Sequence, residues 1–291
     1  MTPLDYDYLQ KVLKDRSGLM LSADKKYLLE SRLLPLARKL GLPGISELVQ
    51  KMRSGAEAVT HDVVEAMTTN ETFFFRDKTP FDHFKDSVIP ELIKARAGRR
   101  SLRIWCAASS TGQEPYSLAM ILKEKAAELA GWRIEIVATD LSPEVLEKSK
   151  AGLYTQFEVQ RGLPIQFLVK YFKQDGTMWQ LNADVRSMVQ YRPFNLLQDF
   201  APLGKFDVIF CRNVLIYFDQ ATKSDIFNRL MKANEPDGYL FLGAAETVVG
   251  LTESYKVCPK RRGVYLPNVA ASSTASSLGA GGLKPVSFAG R

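Results

Sequence analysis

The spacing of apolar residues changes character about a third of the way along the chain. Between residues 1 and 67, apolar positions recur every three or four residues, the period of an amphipathic helix. Gly18 and Gly41 follow two of these stretches, and Ser22 precedes the second as a candidate N-cap. The pattern predicts a small helical domain over residues 1–67, with Pro35 kinking its second helix or splitting it in two.

Between residues 101 and 267, short apolar runs alternate with helical patterns. The runs LRIWCAA, WRIEIVATD, MVQYRPFNLL and FDVIFCRN predict four strands, and helical patterns follow three of them. This alternation predicts an α/β domain with a mostly parallel sheet covered by helices on both faces. Two later runs, GYLFLGA and KRRGVYLP, predict a closing hairpin.

Three segments depart from these two patterns. Residues 68–100 are expected to form a linker and a connecting helix, or two helices around Pro90. Residues 153–188 interrupt the alternation, and their Asp-Gly turn between apolar flanks predicts a small β-subdomain. Residues 268–291 are rich in Ala, Ser and Gly, which predicts a disordered tail.

Composition narrows the possible partners and compartments. The 291 residues are 46% hydrophobic, and the net charge of +7 indicates an acidic partner. No basic run is interleaved with stacking aromatics, so nucleic acid is not expected. Three cysteines without paired spacing and only two histidines indicate no metal site and a reducing cytoplasm. The absence of a signal-peptide core or a long apolar run predicts a cytoplasmic protein without membrane insertion, and we expect a monomer.

Polar residues stand where each of the four predicted parallel strands ends. An open parallel sheet binds ligands at the carboxyl ends of its strands. A loop of small residues follows the first strand, and Glu114 lies where the next helix begins. Asp140 ends the second strand, where a carboxylate binds ribose hydroxyls in such folds. The third and fourth strands end in Asn195–Leu196 and Arg212–Asn213.

Each of these residues also has a purely structural interpretation. Asp140 would equally cap the helix that starts at Ser142, and Glu114 would equally serve as a first-turn carboxylate. Arg212 would equally pair with a nearby carboxylate. The first loop holds one glycine, Gly112, and so lacks the GxGxxG pattern of dinucleotide folds. A nucleoside with an amino-acid arm, S-adenosylmethionine, suits such a loop better than a pyrophosphate.

The linker contains NETFFFRD, whose three consecutive phenylalanines fit neither a strand nor a helix. We expect Phe73–Phe75 to fasten the linker to the sheet domain, each burial contributing about 1.5–3 kcal/mol. That would hold Asn70, Thr72 and Arg76 over the cofactor, with Arg76 able to bind a carboxylate through a bidentate fork. The alternative, a hydrophobic plug between domains, leaves the clustered polar residues unexplained.

Taken together, NETFFFRD, AASSTGQEPYSLAM, ATDLS, FNLL and FCRNVLIYF resemble the chemotaxis receptor methyltransferase (CheR) family, from about residue 5 to 266. The resemblance implies a small N-terminal helical domain and a Rossmann-like domain carrying a β-subdomain. It also implies methyl transfer from S-adenosylmethionine to glutamates on the helical cytoplasmic region of chemoreceptors, leaving S-adenosylhomocysteine. The implied cofactor contacts are Asn70, Thr72, Arg76, Glu114, Asp140, Asn195, Leu196, Arg212 and Asn213.

The resemblance further implies a basic receptor-docking face within residues 25–39. Lys25, Arg32 and Lys39 recur every seven residues and share a face if the helix is continuous, and Arg38 is adjacent in sequence. The alternative is a solvated charged face. Members that dock without a receptor C-terminal peptide tend to have a shorter loop in the β-subdomain. The loop in KQDGTMWQL is short, which favours docking without that tether.

The implied reaction makes few demands on acid–base chemistry. A glutamate carboxylate has a pKa of about 4.3 and is already ionised at neutral pH, so neither a general base nor a metal is expected. Tyr217 is a candidate to line the transfer site, and the alternative is a buried core tyrosine. The rival functions are a methyltransferase of RNA or a small molecule, a non-catalytic module that binds the nucleoside or docks on receptors, and, third, a nicotinamide dehydrogenase.

Overall fold

The computed structural model describes residues 1–270. Four helices make up the N-terminal unit: α1 (Pro3–Ser17), α2 (Lys26–Lys39), α3 (Ile45–Arg53) and α4 (Glu57–Met67). Their apolar faces enclose a cluster of their own, which includes the fully buried Leu9, Leu29, Leu33, Leu48 and Val63. The apolar residues that recur every three or four positions in the sequence are therefore the buried ones, as in an amphipathic helix.

The ends of α1 follow ordinary capping chemistry, whereas α2 departs from the sequence predictions in two ways. Thr2 and Asp5 form a capping box at the start of α1, and Gly18 ends it in the left-handed conformation at φ 76°. The N-cap prediction for Ser22 is wrong, because a 3₁₀ turn at Ala23–Lys25 intervenes and Lys25 precedes α2.

The helix α2 runs unbroken through Pro35, so it is not split in two. Packing of α2 against α3 and α4 compensates for the missing hydrogen bond.

The connecting segment is one continuous helical stretch. It consists of α5 (Thr79–His83), a π-helical turn (Phe84–Val88) and α6 (Ile89–Ala95), with Pro90 in the first turn of α6. A proline has no N–H for the bond to the fourth residue before it, and its ring crowds that carbonyl. The wider π turn just before Pro90 lets the helix continue, which makes one helix rather than two.

The second domain contains the remaining elements. In chain order they are β1 (Ser101–Ala107), α7 (Gln113–Glu124), β2 (Arg133–Asp140), α8 (Pro143–Ala151), β3 (Leu153–Thr155), α9 (Gln156–Gln160), α10 (Ile165–Tyr171), β4 (Phe172–Asp175), β5 (Met178–Leu181), α11 (Ala183–Arg186), β6 (Val189–Pro193), β7 (Phe206–Cys211), α12 (Gln220–Ala233), β8 (Asn234–Leu242), β9 (Tyr255–Val257) and β10 (Val264–Pro267). Single 3₁₀ turns lie at Ala201–Leu203 and Leu215–Tyr217.

Seven of these strands form one sheet in the order β6-β2-β1-β7-β8-β10-β9. The first five are mutually parallel, and β10 runs antiparallel to both of its neighbours. The predicted pairing of GYLFLGA with KRRGVYLP is confirmed, since Val264 lies opposite Phe241. They are not a hairpin, because β9 comes between them in the chain and occupies the sheet edge. The predicted α/β fold is therefore confirmed.

The two faces of the sheet bury separate apolar clusters. Alternate residues of β1 and β7 supply them: Ile104 and Phe210 on one face, Trp105 and Ile209 on the other. Phe210 stacks on Phe241 of β8 with ring centroids 4.3 Å apart. Because helices cover both faces, these strands read as continuous apolar runs in the sequence.

A second sheet, in the order β3-β5-β4, forms an antiparallel β-subdomain. Gly176 follows Asp175 in the turn between β4 and β5 at φ 58°, which confirms the predicted Asp-Gly turn. Asn268, the first residue of the predicted tail, donates hydrogen bonds to the backbone carbonyls of Ser254 and Glu253. Residues 271–291 of that predicted tail lie outside the described residues. The domain bounds assigned from the sequence stay predictions.

Within residues 1–270, no helix is both long enough and apolar enough to cross a membrane.

Candidate active site

A cleft opens at the carboxyl ends of β1, β2, β6 and β7, and the interdomain linker forms part of its wall. It encloses about 1040 Å³, including the part that opens to solvent. All ten residues predicted from the sequence to bind the cofactor or to line the transfer site line this cleft: Asn70, Thr72, Arg76, Glu114, Asp140, Asn195, Leu196, Arg212, Asn213 and Tyr217. The parallel topology explains this convergence, because it brings these four strand ends to one edge of the sheet.

The loop after β1 forms the floor of the cleft and has an unusual backbone. Ala108 and Ser110 adopt left-handed conformations at φ 58° and 49°, and Gly112 follows at φ 93°. A Cβ at Gly112 would lie 2.8 Å from the Tyr191 hydroxyl, so glycine is needed there for packing as well as for conformation. The small side chains leave the backbone of this loop accessible to a ligand.

Asp140 joins two loops of the cleft. Its Oδ2 accepts a hydrogen bond from the N–H of Ser110 at 2.8 Å, and its Oδ1 accepts one from Ser142 at 3.0 Å. Burial raises the pKa of Asp140, and these backbone donors oppose that rise. Ser142, not Asp140, caps α8 through its own hydroxyl. The capping alternative for Asp140 is therefore wrong.

Arg212 and Glu114 form a buried ion pair on the next wall. Arg212 Nη1 lies 2.8 Å from Glu114 Oε2, and Nη2 donates to the Arg76 carbonyl and to Asp77. Burial raises the pKa of Glu114, and the Arg212 guanidinium opposes the rise. The interpretation that Arg212 pairs with a nearby carboxylate is thus correct, and both residues of the pair also line the cleft. Arg212 Nε is buried and has no hydrogen-bond partner among the described residues.

The three phenylalanines of the linker, Phe73–Phe75, each contact different side chains of the second domain. Phe74 is fully buried and meets Tyr154 and Phe172 edge-on, at 5.0 and 5.7 Å between ring centroids. Phe75 stacks on Phe167, and Phe73 lies beneath the guanidinium of Arg161. The prediction that they fasten the linker to the sheet domain is confirmed, with the β-subdomain as the main partner.

This anchoring sets the polar residues of the linker along the cleft. The Asn70 carbonyl accepts from the Ser110 hydroxyl at 2.7 Å, and the Phe75 N–H donates to the Ser117 hydroxyl at 3.0 Å. Arg76 donates to the Glu71 carbonyl at 2.9 Å. Only one guanidinium nitrogen of Arg76 has this partner in the described chain, so its fork remains able to bind a carboxylate.

Asn195 is placed in the cleft, but its side chain is already engaged. Its Nδ2 donates to the Arg16 carbonyl at the end of α1, and its Oδ1 accepts from the N–H of Leu197. A ligand would therefore meet mainly its backbone. Leu196 is 6% exposed and packs in one of the sheet clusters.

Tyr217 belongs to the loop after β7. It is half-buried, and its hydroxyl has no hydrogen-bond partner within the described part of the chain. The interpretation as a buried core tyrosine is therefore wrong, and Tyr217 lines the cleft. Its carbonyl accepts from the Met20 N–H at 2.8 Å, which joins this loop to the N-terminal domain.

The sequence reasoning missed one residue that lines the cleft, Ser109, and one that supports a loop of the cleft from behind, Glu246. Ser109 is 1% exposed, and its hydroxyl has no partner within residues 1–270 although it lines the cleft. Glu246 accepts hydrogen bonds from the backbone around Asn213. The strand-end rule would have found Glu246 had it been applied to the fifth parallel strand, β8, and Ser109 carried no local signal beyond its small size.

The N-terminal domain contacts the sheet domain on two sides of the cleft. Glu65 of α4 accepts hydrogen bonds from the Ser142 hydroxyl and from the Glu144 N–H at the start of α8. The dipole of α8 stabilises a carboxylate at this end of the helix. Lys14 of α1 forms a 2.8 Å ion pair with Asp219, which holds the pKa of that carboxyl well below its usual range.

The predicted docking face is only partly available. Lys25, Arg38 and Lys39 are exposed. Arg32 is half-buried and donates to the carbonyls of Met67 and Thr68 at 2.7 and 2.8 Å, and to the Thr69 hydroxyl. Arg32 therefore supports the linker, and its part in the docking face stays a prediction, as does that of Lys25, Arg38 and Lys39.

The cleft fits a nucleoside with an amino-acid arm. Asp140 presents carboxylate oxygens, Leu141 and Phe194 add apolar surface, and the unpartnered Ser109 hydroxyl and Arg212 Nε offer polar groups to a ligand. No group of three or more His, Cys, Asp or Glu side chains within residues 1–270 is arranged to hold a metal ion.

Two family descriptions match the chain. Residues 70–264 match "CheR methyltransferase, SAM binding domain", and residues 4–68 match "CheR methyltransferase, all-alpha domain". Among similar curated proteins, chemotaxis protein methyltransferase 1 of Pseudomonas aeruginosa is 44% identical over 87% of this chain and 93% of its own length. A chemotaxis protein methyltransferase of Pseudomonas putida is 43% identical, over 87% and 94%.

A third similar protein, the chemotaxis protein methyltransferase of Vibrio parahaemolyticus, is 40% identical over 87% of this chain and 92% of its own length. The matched family regions together take in both the helical unit and the sheet that carries the cleft. The chain belongs to the CheR family of methyltransferases.

Proposed function

We propose that this protein transfers a methyl group from S-adenosylmethionine to glutamate side chains of chemoreceptors, forming methyl esters. The observation that carries the proposal is the convergence of all ten predicted residues in one cleft of a CheR-family chain. The names of the similar proteins support a role in chemotaxis. The glutamate acceptor rests on the family resemblance of the motifs.

The residues of the cleft divide the work of holding S-adenosylmethionine. Asp140 would bind the ribose hydroxyls, and the free donors of Arg76 would bind the methionyl carboxylate. Glu114 and Arg212 would keep the amino-acid arm in place, while Asn195, Leu196 and Asn213 would border the rest of the nucleoside. When bound, the cofactor supplies a methyl group that its positively charged sulfur activates.

The protein itself needs only to position the acceptor and exclude water. An acceptor glutamate is ionised at neutral pH, with an ordinary pKa of about 4.3, and is its own nucleophile. No side chain of the cleft therefore has to remove a proton. Orientation of two reactants in a partly desolvated cleft supplies several kcal/mol, and Tyr217, which lines the cleft, would border the acceptor.

The exposed cations Lys25, Arg38 and Lys39 are proposed to meet the acidic surface of the receptor's cytoplasmic helices. Their attraction would mainly raise the association rate and fall with salt. Docking through this face would need no receptor C-terminal peptide, in keeping with the short turn between β4 and β5. We propose that the protein acts as a monomer in the cytoplasm, where those receptor helices lie.

The first experiment uses S-adenosylmethionine with a labelled methyl group and a chemoreceptor cytoplasmic fragment. Label released as methanol by mild alkali is expected, because carboxyl methyl esters hydrolyse under those conditions. Alkali-resistant label in the protein would contradict the glutamate assignment, and methylation of RNA or a small molecule alone would establish a rival function.

A variant pair separates cofactor binding from turnover. Asp140→Ala is expected to weaken S-adenosylhomocysteine binding at least about tenfold, measured by calorimetry, because it removes a buried charged acceptor. Asp175→Ala, which removes an exposed carboxylate in the β-subdomain turn, should bind like the unmodified protein. Normal S-adenosylhomocysteine binding by Asp140→Ala would refute the cofactor assignment. If the unmodified protein binds the cofactor tightly but shows no turnover, the protein is a non-catalytic module.

A further inference from the structure

The loop after β7 is held by a single carboxylate from another loop. Glu246 Oε2 accepts from the N–H groups of Asn213 and Gly243, both at 2.7 Å. Its Oε1 accepts from Val214 at 3.0 Å and from Leu215 at 2.7 Å. One side chain thus satisfies four backbone donors.

The loop has a physical need for this carboxylate. Asn213 is left-handed at φ 59°, and a 3₁₀ turn follows at Leu215–Tyr217. The first N–H groups of such a turn have no acceptor inside it. An anion at this end satisfies them and fixes the direction in which the turn leaves the strand.

The two loops are built for close approach at this point. A Cβ at Gly243 would lie 2.8 Å from both Asn213 Nδ2 and Glu246 Oε2, and 2.9 Å from the Asn213 nitrogen. Glycine is therefore needed for the loops to meet. The ends of β7 and β8, adjacent in the sheet, are joined through the Glu246 carboxylate.

We infer that Glu246 is a positioning residue for methyl transfer, acting through the backbone of residues 213–215. It sets Asn213 on the cofactor side of the cleft and Tyr217 at the acceptor side. Glu246 is not among the residues that line the cleft, so we assign it no contact with either reactant. The inference rests on the proposed function for the cofactor side and the acceptor side of the cleft.

The choice of variants follows from the hydrogen-bond pattern. Glu246→Gln retains the size of the side chain but turns an NH₂ group toward two backbone donors, whichever way the amide lies. Glu246→Asp retains both oxygens at shorter reach. Glu253→Gln is the matched control, since Glu253 lies in the same segment, is exposed, and has no side-chain hydrogen bond among residues 1–270.

Amide hydrogen exchange of the full chain tests the local effect. In Glu246→Gln, the amides of residues 213–215 are expected to exchange at least about tenfold faster, while the strands of the sheet keep their protection. Glu253→Gln should leave the loop unchanged. Loop protection in Glu246→Gln within about twofold of this control would overturn the inference.

Binding and turnover test the functional consequence. Glu246→Gln is expected to weaken S-adenosylhomocysteine binding and to lower kcat, each by at least about tenfold, and Glu246→Asp should recover part of both. If Glu246→Gln fails to fold, Glu246→Asp is judged against Glu253→Gln by the same exchange and binding criteria. Unchanged binding together with unchanged kcat would overturn the inference.

Failure of the proposed function would give a different result. If unmodified protein forms no methyl esters on the receptor fragment, the acceptor assignment fails, whereas hydrogen exchange and S-adenosylhomocysteine binding still judge Glu246.

Discussion

At the scale of single residues, the cleft concentrates backbone strain. Ala108, Ser110 and Asn213 are non-glycine residues in the left-handed region, and all three line the cleft. Such conformations cost about 1–3 kcal/mol each and persist where surrounding contacts enforce them. Hydrogen bonds of Ser110 to Asp140 and of Asn213 to Glu246 provide that enforcement.

Removal of the Ser109 hydroxyl is expected to raise the stability of the ligand-free protein and to lower its affinity for the cofactor product. Ser109→Ala removes a buried hydroxyl without a partner, so the ligand-free protein should gain up to about 1 kcal/mol in urea unfolding. S-adenosylhomocysteine affinity should fall about fivefold if the hydroxyl bonds the ligand, which calorimetry would measure.

Ser117→Ala serves as the contrasting variant for this prediction. The Ser117 hydroxyl accepts from Phe75 and donates to the Gln113 carbonyl, so its loss should destabilise the protein by about 1 kcal/mol. A Ser109→Ala protein that is less stable and binds normally would show that the hydroxyl has no ligand role.

At the scale of the element, α2 has two distinct faces. Leu29, Leu33 and Ala37 are buried against the other helices, whereas Arg38 and Lys39 are exposed. Arg32 lies between these faces and reaches the carboxyl end of α4, whose last carbonyls have no partner inside the helix. The seven-residue repeat of cations therefore combines a supporting arginine with docking candidates.

This division predicts different outcomes for neighbouring substitutions. Arg32→Ala should lower the free energy of unfolding by about 1–2 kcal/mol in urea titrations, because charged hydrogen bonds to the linker are lost. Lys39→Ala should change stability by less than about 0.5 kcal/mol and instead slow methylation of the receptor fragment at low salt. Equal stability of the two variants would contradict the supporting role of Arg32.

At the scale of the whole molecule, the site and a buried ion network around Asp207 lie at opposite ends of the sheet. Asp207, the second residue of β7, has a side chain that is 1% exposed. It accepts hydrogen bonds from Arg96 at 2.7 Å, from the Arg103 N–H at 2.8 Å, and from Arg99. This network ties the end of the connecting helix to the sheet. The cleft lies at the other end of the same strand.

Asp207→Ala should therefore separate stability from ligand binding. It leaves the buried Arg96 without one of its carboxylates, and the free energy of unfolding should fall by about 3–5 kcal/mol. S-adenosylhomocysteine affinity of the folded protein should stay within about twofold, because additivity holds for distant sites. Asp225→Ala, which breaks an exposed pair with Arg229, should cost less than about 1 kcal/mol.

The sequence by itself determined the elements of this protein and the positions of most cleft residues. Periodicity is a local property, so the helices of the N-terminal unit and the strands β1, β2, β6 and β7 could be predicted from it. The rule that parallel strands end at one edge then placed Glu114, Asp140, Arg212 and Asn213 together. The small residues of the loop after β1 favoured S-adenosylmethionine as the cofactor, and the family motifs implied the same cofactor.

The tertiary structure alone decided the partners of side chains that reach distant segments of the chain. Arg32 turns to the carbonyls after α4, Asn195 to the end of α1, and Glu246 to the amides after β7. Each contact joins segments 30 or more residues apart in the chain. Local spacing holds no information on such distances, because hydrogen-bond partners are set by how packed elements approach one another.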